Sequence, residues 1–375
     1  MAQMNYLTQC TFDFGALAQL PKVLKGLGVS RPFVVTDPGL KANGLLDRLL
    51  AALGQPPAGV FTDTPANPTE AAAAKAADAY RTSEADGIIA LGGGSSMDLA
   101  KGMGLMVSHE GPFERLGATQ RGTRFITAIP PLVAVPTTAG TGSEVSVGAI
   151  LILDNGRKET FVSAHLIPKA AVCDPELTLG LPPLLTAATG MDAMTHCIEA
   201  VLSPVVHPPA EAIGIDGVER LGENIERAVS NGGDRDARWQ MMMGSFQGAL
   251  AFVKGLGAVH GLSHALGRIQ ELKLHHGTLN AVILPHSLAM IGDAAPEKFA
   301  RLRRAFGLPE GADLSEAVAD LNARIGLPPS LSAIGVTEAH WTDDTRNYAL
   351  SDIATNSNAI PFDGAKYDEL FRRSL

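Results

Sequence analysis

Histidines are concentrated in one part of the chain: residues 255–286 contain five of its ten histidines. His260 and His264 are four residues apart, so a helix would place both imidazoles on one face. His275 and His276 follow after a short spacer and directly precede a glycine. Because imidazole is the commonest metal ligand among side chains, this stretch predicts a metal site.

A second segment, GMDAMTHCIEA, contains Asp192 and His196, which are also four residues apart. Two helices and one loop would bring four potential ligands to one point: Asp192, His196, His260 and His276. Nitrogen and carboxylate ligands without a thiolate suit Fe²⁺, Zn²⁺ or a similar divalent ion. A single histidine on a helix is more often a core or surface residue. Two spaced pairs and the HHG sequence together indicate a metal site.

A glycine-rich turn follows the apolar run GIIAL and precedes a helical pattern, and it consists of Gly92, Gly93, Gly94, Ser95 and Ser96. Glycines let backbone N–H groups approach phosphate oxygens, and a helix N-terminus adds positive potential there. A second polar turn, residues 136–144, follows the run LVAV and could contact a ribose or adenine. Its hydroxyl residues include Thr137, Thr138, Thr141 and Ser143. The simpler interpretations are a tight turn without a ligand and a helix cap.

Asp37 ends the segment FVVTD, where a carboxylate can accept hydrogen bonds from a ribose 2′-hydroxyl and would repel a 2′-phosphate. This interpretation favours NAD over NADP. The alternative is that Asp37 caps a helix that begins at Pro38. The predicted cofactor contacts comprise Asp37, the residues of the two turns, Asn67, Asp98 and Lys158.

The composition of the 375-residue chain excludes several classes of partner. With 30 Lys+Arg and 39 Asp+Glu, the formal net charge is −9, which argues against nucleic acid or an anionic membrane. Three cysteines without CxxC spacing indicate no disulfide framework, so we expect a reduced, cytoplasmic protein. No apolar run approaches the roughly 20 residues of a membrane span, and the N-terminus lacks a signal-peptide pattern. We therefore expect a small-molecule substrate.

The elements that must position these residues change in type along the chain. Short β-branched or apolar runs alternate with helical patterns in the first half, which predicts βαβ units and a mostly parallel sheet. From about Leu181 onward the strand signal nearly vanishes. We expect an α/β dinucleotide-binding domain over residues 1–180 and an all-α metal-binding domain over residues 181–375.

Six motifs occur in one order along most of the chain: GGGSSMD, PTTAGTGSEVS, DPELT, GMDAMTHCIEA, KGLGAVHGLSHALG and HHGTLNAVILPH. Together they resemble the iron-containing (group III) alcohol dehydrogenase family. The resemblance implies an NAD-dependent oxidoreductase with Fe²⁺, or else Zn²⁺, and a homodimer joined through residues 8–14. It assigns a role in proton transfer to His264 and metal binding to Asp192, His196, His260 and His276.

Several segments, including NPTEA and LHHGTLNAV, are similar to members of that family that oxidise 4-hydroxybutyrate. This similarity implies an ω-hydroxy acid as substrate and succinate semialdehyde as product. Lys254, where many relatives carry asparagine, and Arg268 are candidate partners for a substrate carboxylate. Phe252 is a third candidate substrate contact. The alternatives are a solvated lysine and an arginine that binds helix C-terminal carbonyls.

In the family the residue directly before the glycine is the ligand, so the resemblance selects His276. It leaves His275 as a neighbour and His286 as a loop residue. Other activities remain open: a general primary alcohol or diol dehydrogenase, a maleylacetate-type reductase, a lyase similar to dehydroquinate synthase, and a non-catalytic NAD-binding module. The intact ligand set argues against the last three, because such reductases are often metal-free and the lyase uses a glutamate ligand.

Overall fold

The computed structural model describes residues 9–375, except for the side chain of residue 293. These residues form two compact units. Of the described residues, one unit contains 9–138 and 142–178, and the other contains 139–141 and 179–375. Residue 8, part of the predicted dimer contact, lies outside the described residues. Among residues 9–375, no helix is both long enough and apolar enough to cross a membrane.

The first unit contains the eight strands of the described chain: β1 (Gln9–Phe12), β2 (Pro32–Val35), β3 (Gly59–Phe61), β4 (Gly87–Gly92), β5 (Leu132–Pro136), β6 (Gly148–Ile152), β7 (Lys158–Val162) and β8 (Ala170–Cys173). Six of them form one parallel sheet in the order β1-β8-β5-β4-β2-β3. β6 and β7 form a separate antiparallel pair. The predicted α/β fold with a mostly parallel sheet is confirmed.

Helices separate most of the parallel strands: α1 (Leu20–Gly26), α2 (Pro38–Ala42), α3 (Leu45–Leu53), α4 (Glu70–Ser83) and α5 (Gly94–Ser108). The central strands β4 and β5 are buried along their whole length, as expected for parallel strands covered on both faces. Successive residues of β4 belong to opposite cores, Ile88 and Ala90 to one and Ile89 and Leu91 to the other. The carboxyl ends of these strands are therefore held at fixed positions.

The second unit contains nine helices and no strand among its described residues: α6 (Pro183–Leu202), α7 (Pro208–Ser230), α8 (Arg235–Ala251), α9 (Ala258–Leu266), α10 (His276–Ile291), α11 (Pro296–Ala305), α12 (Leu314–Arg324), α13 (Asp343–Ser351) and α14 (Gly364–Ser374). The predicted helical character of this part is confirmed. Helix α6 is the central one, because 17 of its 20 residues are buried. Every polar side chain on α6 therefore needs a partner within the protein.

Glycines allow α6 to pack closely against its neighbours. A Cβ atom at Gly217 on α7 would lie 2.6 Å from Cys197 Sγ on α6. A Cβ atom at Gly248 on α8 would lie 3.3 Å from His196 Cβ. Close contact on these sides fixes the position of the α6 backbone, and with it the direction of the α6 side chains.

The boundary between the two units lies between Thr178 and Leu179, whereas the sequence predicts a boundary near Gly180. Residues 139–141 group with the helices, although the sequence assigns them to the first domain. The reason is a backbone contact: a Cβ atom at Gly140 would lie 2.7 Å from Thr189 Cβ on α6. A contact of this kind leaves no pattern in the sequence.

Candidate metal centre and dinucleotide site

Helix α6 carries the first two candidate ligands. Asp192 and His196 are one turn apart and buried, and His196 Nε2 lies 3.8 Å from Asp192 Oδ1. A buried carboxylate is costly unless a cation or hydrogen-bond donors compensate its charge. The middle of α6 is therefore a place where a cation would be stabilised.

His260 on α9 and His276 at the start of α10 complete the cluster. His260 Nε2 lies 3.8 Å from Asp192 Oδ1, and His276 Nε2 lies 3.5 Å from the same oxygen. The ligand atoms of Asp192, His196 and His260 all lie within 4.8 Å of one another. The structure thus brings the four predicted ligands together around one carboxylate oxygen.

The short distance between α6 and α10 depends on Gly277. A Cβ atom at this position would lie 2.2 Å from the carbonyl oxygen of Ala188 and 3.3 Å from Asp192 Cβ. Any larger residue would push α10, with His276 at its start, away from α6. The glycine of the HHG sequence is therefore required by packing.

His196 and His260 differ in how readily they bind a proton. Burial lowers the pKa of His196 to about 4, so this ring is neutral at neutral pH and can bind a cation. Burial also opposes charge on His260, but the Glu199 carboxylate more than compensates and raises the pKa of that ring. Of these two rings, His260 is the one at which a proton competes with a metal ion.

Glu199 on α6 holds His260 in place. Its Oε2 lies 2.6 Å from His260 Nδ1, and its Oε1 accepts a hydrogen bond from the backbone N–H of Val259 at 2.9 Å. A carboxylate at Nδ1 favours the tautomer in which Nε2 is free to bind a metal ion. Our sequence analysis missed Glu199, although it follows Asp192 by seven residues and so lies on the same face of α6.

His264, the predicted proton-transfer residue, also has a carboxylate partner. Its Nδ1 lies 2.9 Å from Asp352 Oδ2, and both side chains are buried. Burial opposes the charge of Asp352, but His264 and the N–H of Ala354 lower the pKa of this carboxyl group. The ionised Asp352 therefore accepts from Nδ1, which leaves His264 Nε2 to take up a proton. Asp352 lies 88 residues further along the chain, so no motif links the two.

Asn280 contributes a fully buried amide to the cluster. Its Nδ2 lies 2.7 Å from Asp192 Oδ1, 3.2 Å from His260 Nε2 and 3.1 Å from His276 Nε2. The NH₂ group has two hydrogens but faces three acceptor atoms. A bound cation would satisfy the lone pair that is left over. Imidazole nitrogens and a carboxylate oxygen are ligand atoms that suit a divalent ion. Asn280 was also missed, although it follows His276 by one helical turn.

Lys254 does not face a substrate site. Its ammonium group is buried and lies 3.0 Å from Val201 O, 2.8 Å from Ser203 O and 3.0 Å from Glu211 Oε2. These contacts use all three N–H donors of the lysine. The predicted role of Lys254 in binding a substrate carboxylate is therefore wrong, because the side chain caps the C-terminal end of α6.

The other two candidate substrate contacts are placed differently. Arg268 Nη1 donates to Asp344 Oδ2 at 3.1 Å, and the guanidinium lies 4.4 Å from the ring centre of Tyr348. The Phe252 ring packs edge-on against His196, with ring centres 5.1 Å apart. Phe252 thus lies beside the metal centre, and the substrate roles of both residues stay predictions.

The two remaining histidines of residues 255–286 have positions outside the ligand set. His275 caps α10, where its side chain accepts a hydrogen bond from the N–H of Thr278 at 3.4 Å. His286 lies inside α10, so its predicted loop position is wrong. The helix continues through Pro285.

The carboxyl ends of β2, β4 and β5 form the candidate dinucleotide site. β3 lies on one side of β2 and β4 on the other, so the strand order reverses there, and nucleotides bind at such points. Gly92 ends β4 with φ of 147°, and α5 begins at Gly94. A Cβ atom at Gly92 would lie 2.5 Å from Ser96 Oγ, so only glycine fits. The N–H groups of the first turn of α5 are suited to bind a phosphate.

Asp37 caps α2, as the simpler interpretation predicts, because its Oδ1 accepts the N–H of Leu40 at 3.0 Å. Its Oδ2 lies 3.4 Å from Ser96 Oγ, which places the carboxylate next to the glycine-rich turn. The N–H of Thr137 donates to Gly92 O at 3.0 Å. The two predicted turns and Asp37 therefore lie side by side at one edge of the sheet.

Two predicted cofactor contacts, Asp98 and Ser143, have hydrogen-bond partners inside the protein. Asp98 is partly buried and accepts from Ser143 Oγ at 2.7 Å and from the N–H of Ile150 at 3.1 Å. Lys101 Nζ donates to Ser143 Oγ at 2.9 Å. These residues hold the second polar turn against α5. The cofactor roles of Asp98 and Ser143 stay predictions, as do those of Asn67, Ser95, Thr138, Thr141 and Lys158.

Comparisons with known proteins agree with this arrangement. The model for iron-containing alcohol dehydrogenases matches residues 8–175, and the model for the C-terminal part of that family matches residues 186–375. A 4-hydroxybutyrate dehydrogenase from Cupriavidus necator is 50% identical over 383 residues, which cover 100% of both chains. A 1,3-propanediol dehydrogenase from Citrobacter freundii is 34% identical over 389 residues, covering 99% of this chain and 98% of the relative.

Among solved structures, an alcohol dehydrogenase from Oenococcus oeni superposes with a TM-score of 0.93 at 30% identity, covering 100% of both chains. The family models cover the α/β unit and the helical unit, and they agree with the resemblance found in the six motifs. The chain therefore belongs to the iron-containing alcohol dehydrogenase family, whose members are NAD-linked oxidoreductases that act on CH–OH groups.

Proposed function

We propose that this chain oxidises an ω-hydroxy acid such as 4-hydroxybutyrate with NAD at a divalent metal centre, giving succinate semialdehyde. The observation that carries the proposal is the convergence of three imidazole nitrogens within 3.8 Å of one buried carboxylate oxygen. The 50% identity to the Cupriavidus necator 4-hydroxybutyrate dehydrogenase supports the substrate class.

Four side chains would hold the ion: Asp192, His196, His260 and His276. We propose Fe²⁺ as the ion, with Zn²⁺ as the alternative that the same donor set suits. A divalent ion supplies Lewis-acid chemistry, because its charge lowers the pKa of an alcohol and stabilises negative charge on the oxygen. Glu199 keeps His260 Nε2 available by binding Nδ1 at 2.6 Å.

His264 would receive the alcohol proton. Asp352 binds its Nδ1 at 2.9 Å, so Nε2 is the basic nitrogen. The ionised carboxylate also stabilises the imidazolium that forms when Nε2 binds a proton. NAD, when bound, would supply the acceptor for the hydride of the carbinol carbon.

Arg268 would bind the carboxylate of the substrate, because a guanidinium pairs with a carboxylate through two parallel hydrogen bonds. Its present partner Asp344 is 80% exposed, so that ion pair is weak and easily exchanged for a substrate carboxylate. Arg268 Nε is buried and has no hydrogen-bond partner among residues 9–375. Phe252, beside His196, would supply an apolar contact for the methylene groups.

The glycine-rich turn would bind the pyrophosphate of NAD through the backbone of Gly92, Gly93 and Gly94 and the N-terminus of α5. Asp37 caps α2 with one oxygen, and its second oxygen would accept from a ribose 2′-hydroxyl. The same carboxylate would repel the 2′-phosphate of NADP. NAD is therefore the proposed cofactor.

We also propose a cytoplasmic homodimer. β1 lies at one edge of the six-stranded sheet and pairs, among the described strands, only with β8. A free strand edge offers unpaired N–H and C=O groups to a second copy of the chain. Light scattering coupled to size-exclusion chromatography measures the mass, and a monomer would contradict this part of the proposal.

The test is a substrate panel with the enzyme loaded anaerobically with Fe²⁺. NADH formation from 4-hydroxybutyrate is expected to exceed that from 1-butanol, 1,3-propanediol and ethanol, and chelation should abolish it. Arg268→Gln should raise KM for 4-hydroxybutyrate about tenfold and leave KM for 1-butanol unchanged. Activity that survives chelation would contradict the metal centre, and an equal effect on both substrates would contradict the role of Arg268.

A second candidate substrate class is the diols. One of the two cations predicted to bind a substrate carboxylate, Lys254, is bonded to Glu211 and backbone carbonyls instead. The 34% identity to a 1,3-propanediol dehydrogenase also supports this class. A higher kcat/KM for 1,3-propanediol than for 4-hydroxybutyrate in the same panel would favour the diol.

A further inference from the structure

The side-chain amide of Asn280 lies where the metal ligands converge. Its Nδ2 is 2.7 Å from Asp192 Oδ1 and 3.2 Å and 3.1 Å from the Nε2 atoms of His260 and His276. An amide nitrogen carries two hydrogens, and here they face three acceptors. The NH₂ group thus lies against three of the lone pairs that a cation would satisfy.

The other end of this amide has no partner. Asn280 Oδ1 is buried and accepts no hydrogen bond from any residue between 9 and 375. Buried polar atoms are almost always hydrogen-bonded, so an unpartnered oxygen beside a ligand cluster is unusual. A rotation of 180° about the Cβ–Cγ bond exchanges the positions of the oxygen and the nitrogen. Because Oδ1 accepts no hydrogen bond, the rotation breaks none at this atom.

We propose that Asn280 is a positioning residue that responds to the metal ion. In the metal-free protein its NH₂ group donates to the ligand atoms and keeps them together. When an ion is bound, the amide turns and presents Oδ1 to the ion. This inference rests on the metal centre of the proposed function.

The amide group of Asn280 rotates for an electrostatic reason. Without an ion, one carboxylate and two imidazole lone pairs repel one another unless a donor lies between them, and the NH₂ group is that donor. With an ion, the hydrogens of the same NH₂ group would face a positive charge, whereas a carbonyl oxygen attracts it. One buried amide can serve both states because its two ends have opposite polarity and similar size.

Two variants with side chains of nearly equal volume separate the role of the NH₂ group from the role of the oxygen. Asn280→Asp removes the N–H donors and keeps an oxygen, and Asn280→Leu removes the donors and the oxygen. Asn322→Asp is the matched control, because Asn322 is also buried, donates through Nδ2 to Ala281 O at 2.7 Å and has an unpartnered Oδ1. Within the described part of the chain, Asn322 makes no hydrogen bond with the four ligands. If the Asn280→Leu protein cannot be obtained in folded form, Asn280→Ala is measured instead.

The measurements are the dissociation constant for Zn²⁺, by competition with a chelating dye, and the melting temperature of metal-free protein. Both Asn280 variants are expected to melt about 2–4 °C below wild type without metal, because Asp192 loses its donor. Zn²⁺ should bind to Asn280→Asp at least as tightly as to wild type and to Asn280→Leu about tenfold more weakly. Asn322→Asp should leave Zn²⁺ binding unchanged.

Two results would overturn the inference while leaving the proposed function intact. One is wild-type Zn²⁺ affinity in Asn280→Leu, which would show that the oxygen does not face the ion. The other is an unchanged melting temperature in both metal-free variants, which would show that the NH₂ group does not hold the ligands. Failure of the wild-type protein to bind Zn²⁺ would overturn both the inference and the metal centre.

Discussion

The polar cluster around Lys101 in the α/β unit and the polar cluster around Asn280 in the helical unit are satisfied in different ways. In the α/β unit, Lys101 is fully buried and donates to Ser143 Oγ at 2.9 Å, Ser146 O at 3.1 Å and Gly148 O at 2.7 Å. In the helical unit, a carboxylate and imidazole lone pairs converge on the single amide of Asn280. The first cluster contains its own cation, whereas the second is built to receive one.

The charges of the first cluster show the cost of this arrangement. Burial lowers the pKa of Lys101 to about 8, although the nearby carboxylates partly oppose the shift. Burial raises the pKa of Glu144 to about 7. A cluster that is complete within the protein therefore needs no ligand, although burying its charges has a cost, whereas a cluster with excess acceptors can bind a cation.

The largest expected effect is that of Asp192→Asn. Replacing the charged ligand by a neutral amide should abolish metal binding and lower kcat/KM by about 1,000-fold or more, equivalent to about 4 kcal/mol. Metal content by mass spectrometry and NADH formation are the measurements. The control is Asp98→Asn, which changes a partly buried carboxylate of the other cluster and should leave the metal content unchanged. Full metal content in Asp192→Asn would remove the basis of the comparison.

Lys101→Met should act on folding and not on metal binding. The change leaves the buried Glu144 and the partly buried Asp98 without their cation, which costs about 3 kcal/mol of unfolding free energy. Urea denaturation measures this cost, and the metal content of the folded variant should match that of wild type. A variant as stable as wild type would show that the cluster does not depend on its cation.

The same variant gives a pH test. In the folded protein the pKa of Lys101 is about 8, below the ordinary lysine value of 10.5, so between these pH values the unfolded chain binds more protons than the folded one. Stability relative to Lys101→Met should therefore rise as the pH increases from 8 to 10.5. A relative stability that falls over this range would contradict the assigned shift.

Glu199→Gln should have a smaller effect, confined to the metal centre. Loss of the carboxylate behind His260 should weaken metal binding about 10- to 100-fold. Because Glu199 raises the pKa of His260, the pH at which protons displace the metal should also move downward. Metal titrations at several pH values measure both effects. An unchanged pH profile would show that Glu199 has only a packing role.

The smallest effect is expected for Asp37. One of its carboxylate oxygens caps α2, and the other lies beside Ser96, where it could accept a hydrogen bond from a ligand. Asp37→Asn keeps the cap, because asparagine is an equally good N-cap residue, and removes the charge. Discrimination against NADP should fall about tenfold or less. The ratio of kcat/KM values for NAD and NADP is the measurement, and an unchanged ratio would limit Asp37 to capping.

Local spacing made part of the site predictable. Asp192 and His196 are separated by one helical turn, so helix geometry alone places them on one face. The class of the fold was predictable for the same reason, since strand and helix periods differ. Asp352 was not predictable, because its contact with His264 depends on how distant helices pack.

The wrong prediction for Lys254 has a physical cause. Its ammonium group is suited to bind a substrate carboxylate, but it is buried and bonded within the protein. Burial is a property of the packed chain and depends on residues far away in sequence. The type of a side chain therefore predicts which partners it can bind, and the fold decides which of those partners it meets.

Gly277 has no functional group, yet it restricts how chains with this centre can diverge. The atom that a side chain at this position would strike is the carbonyl oxygen of Ala188, at 2.2 Å. Because that atom belongs to the backbone, no substitution on α6 can make room for it. A compensating second mutation is thus ruled out at this contact. Ligand residues can in principle be exchanged one at a time, whereas this glycine can change only if a whole helix moves.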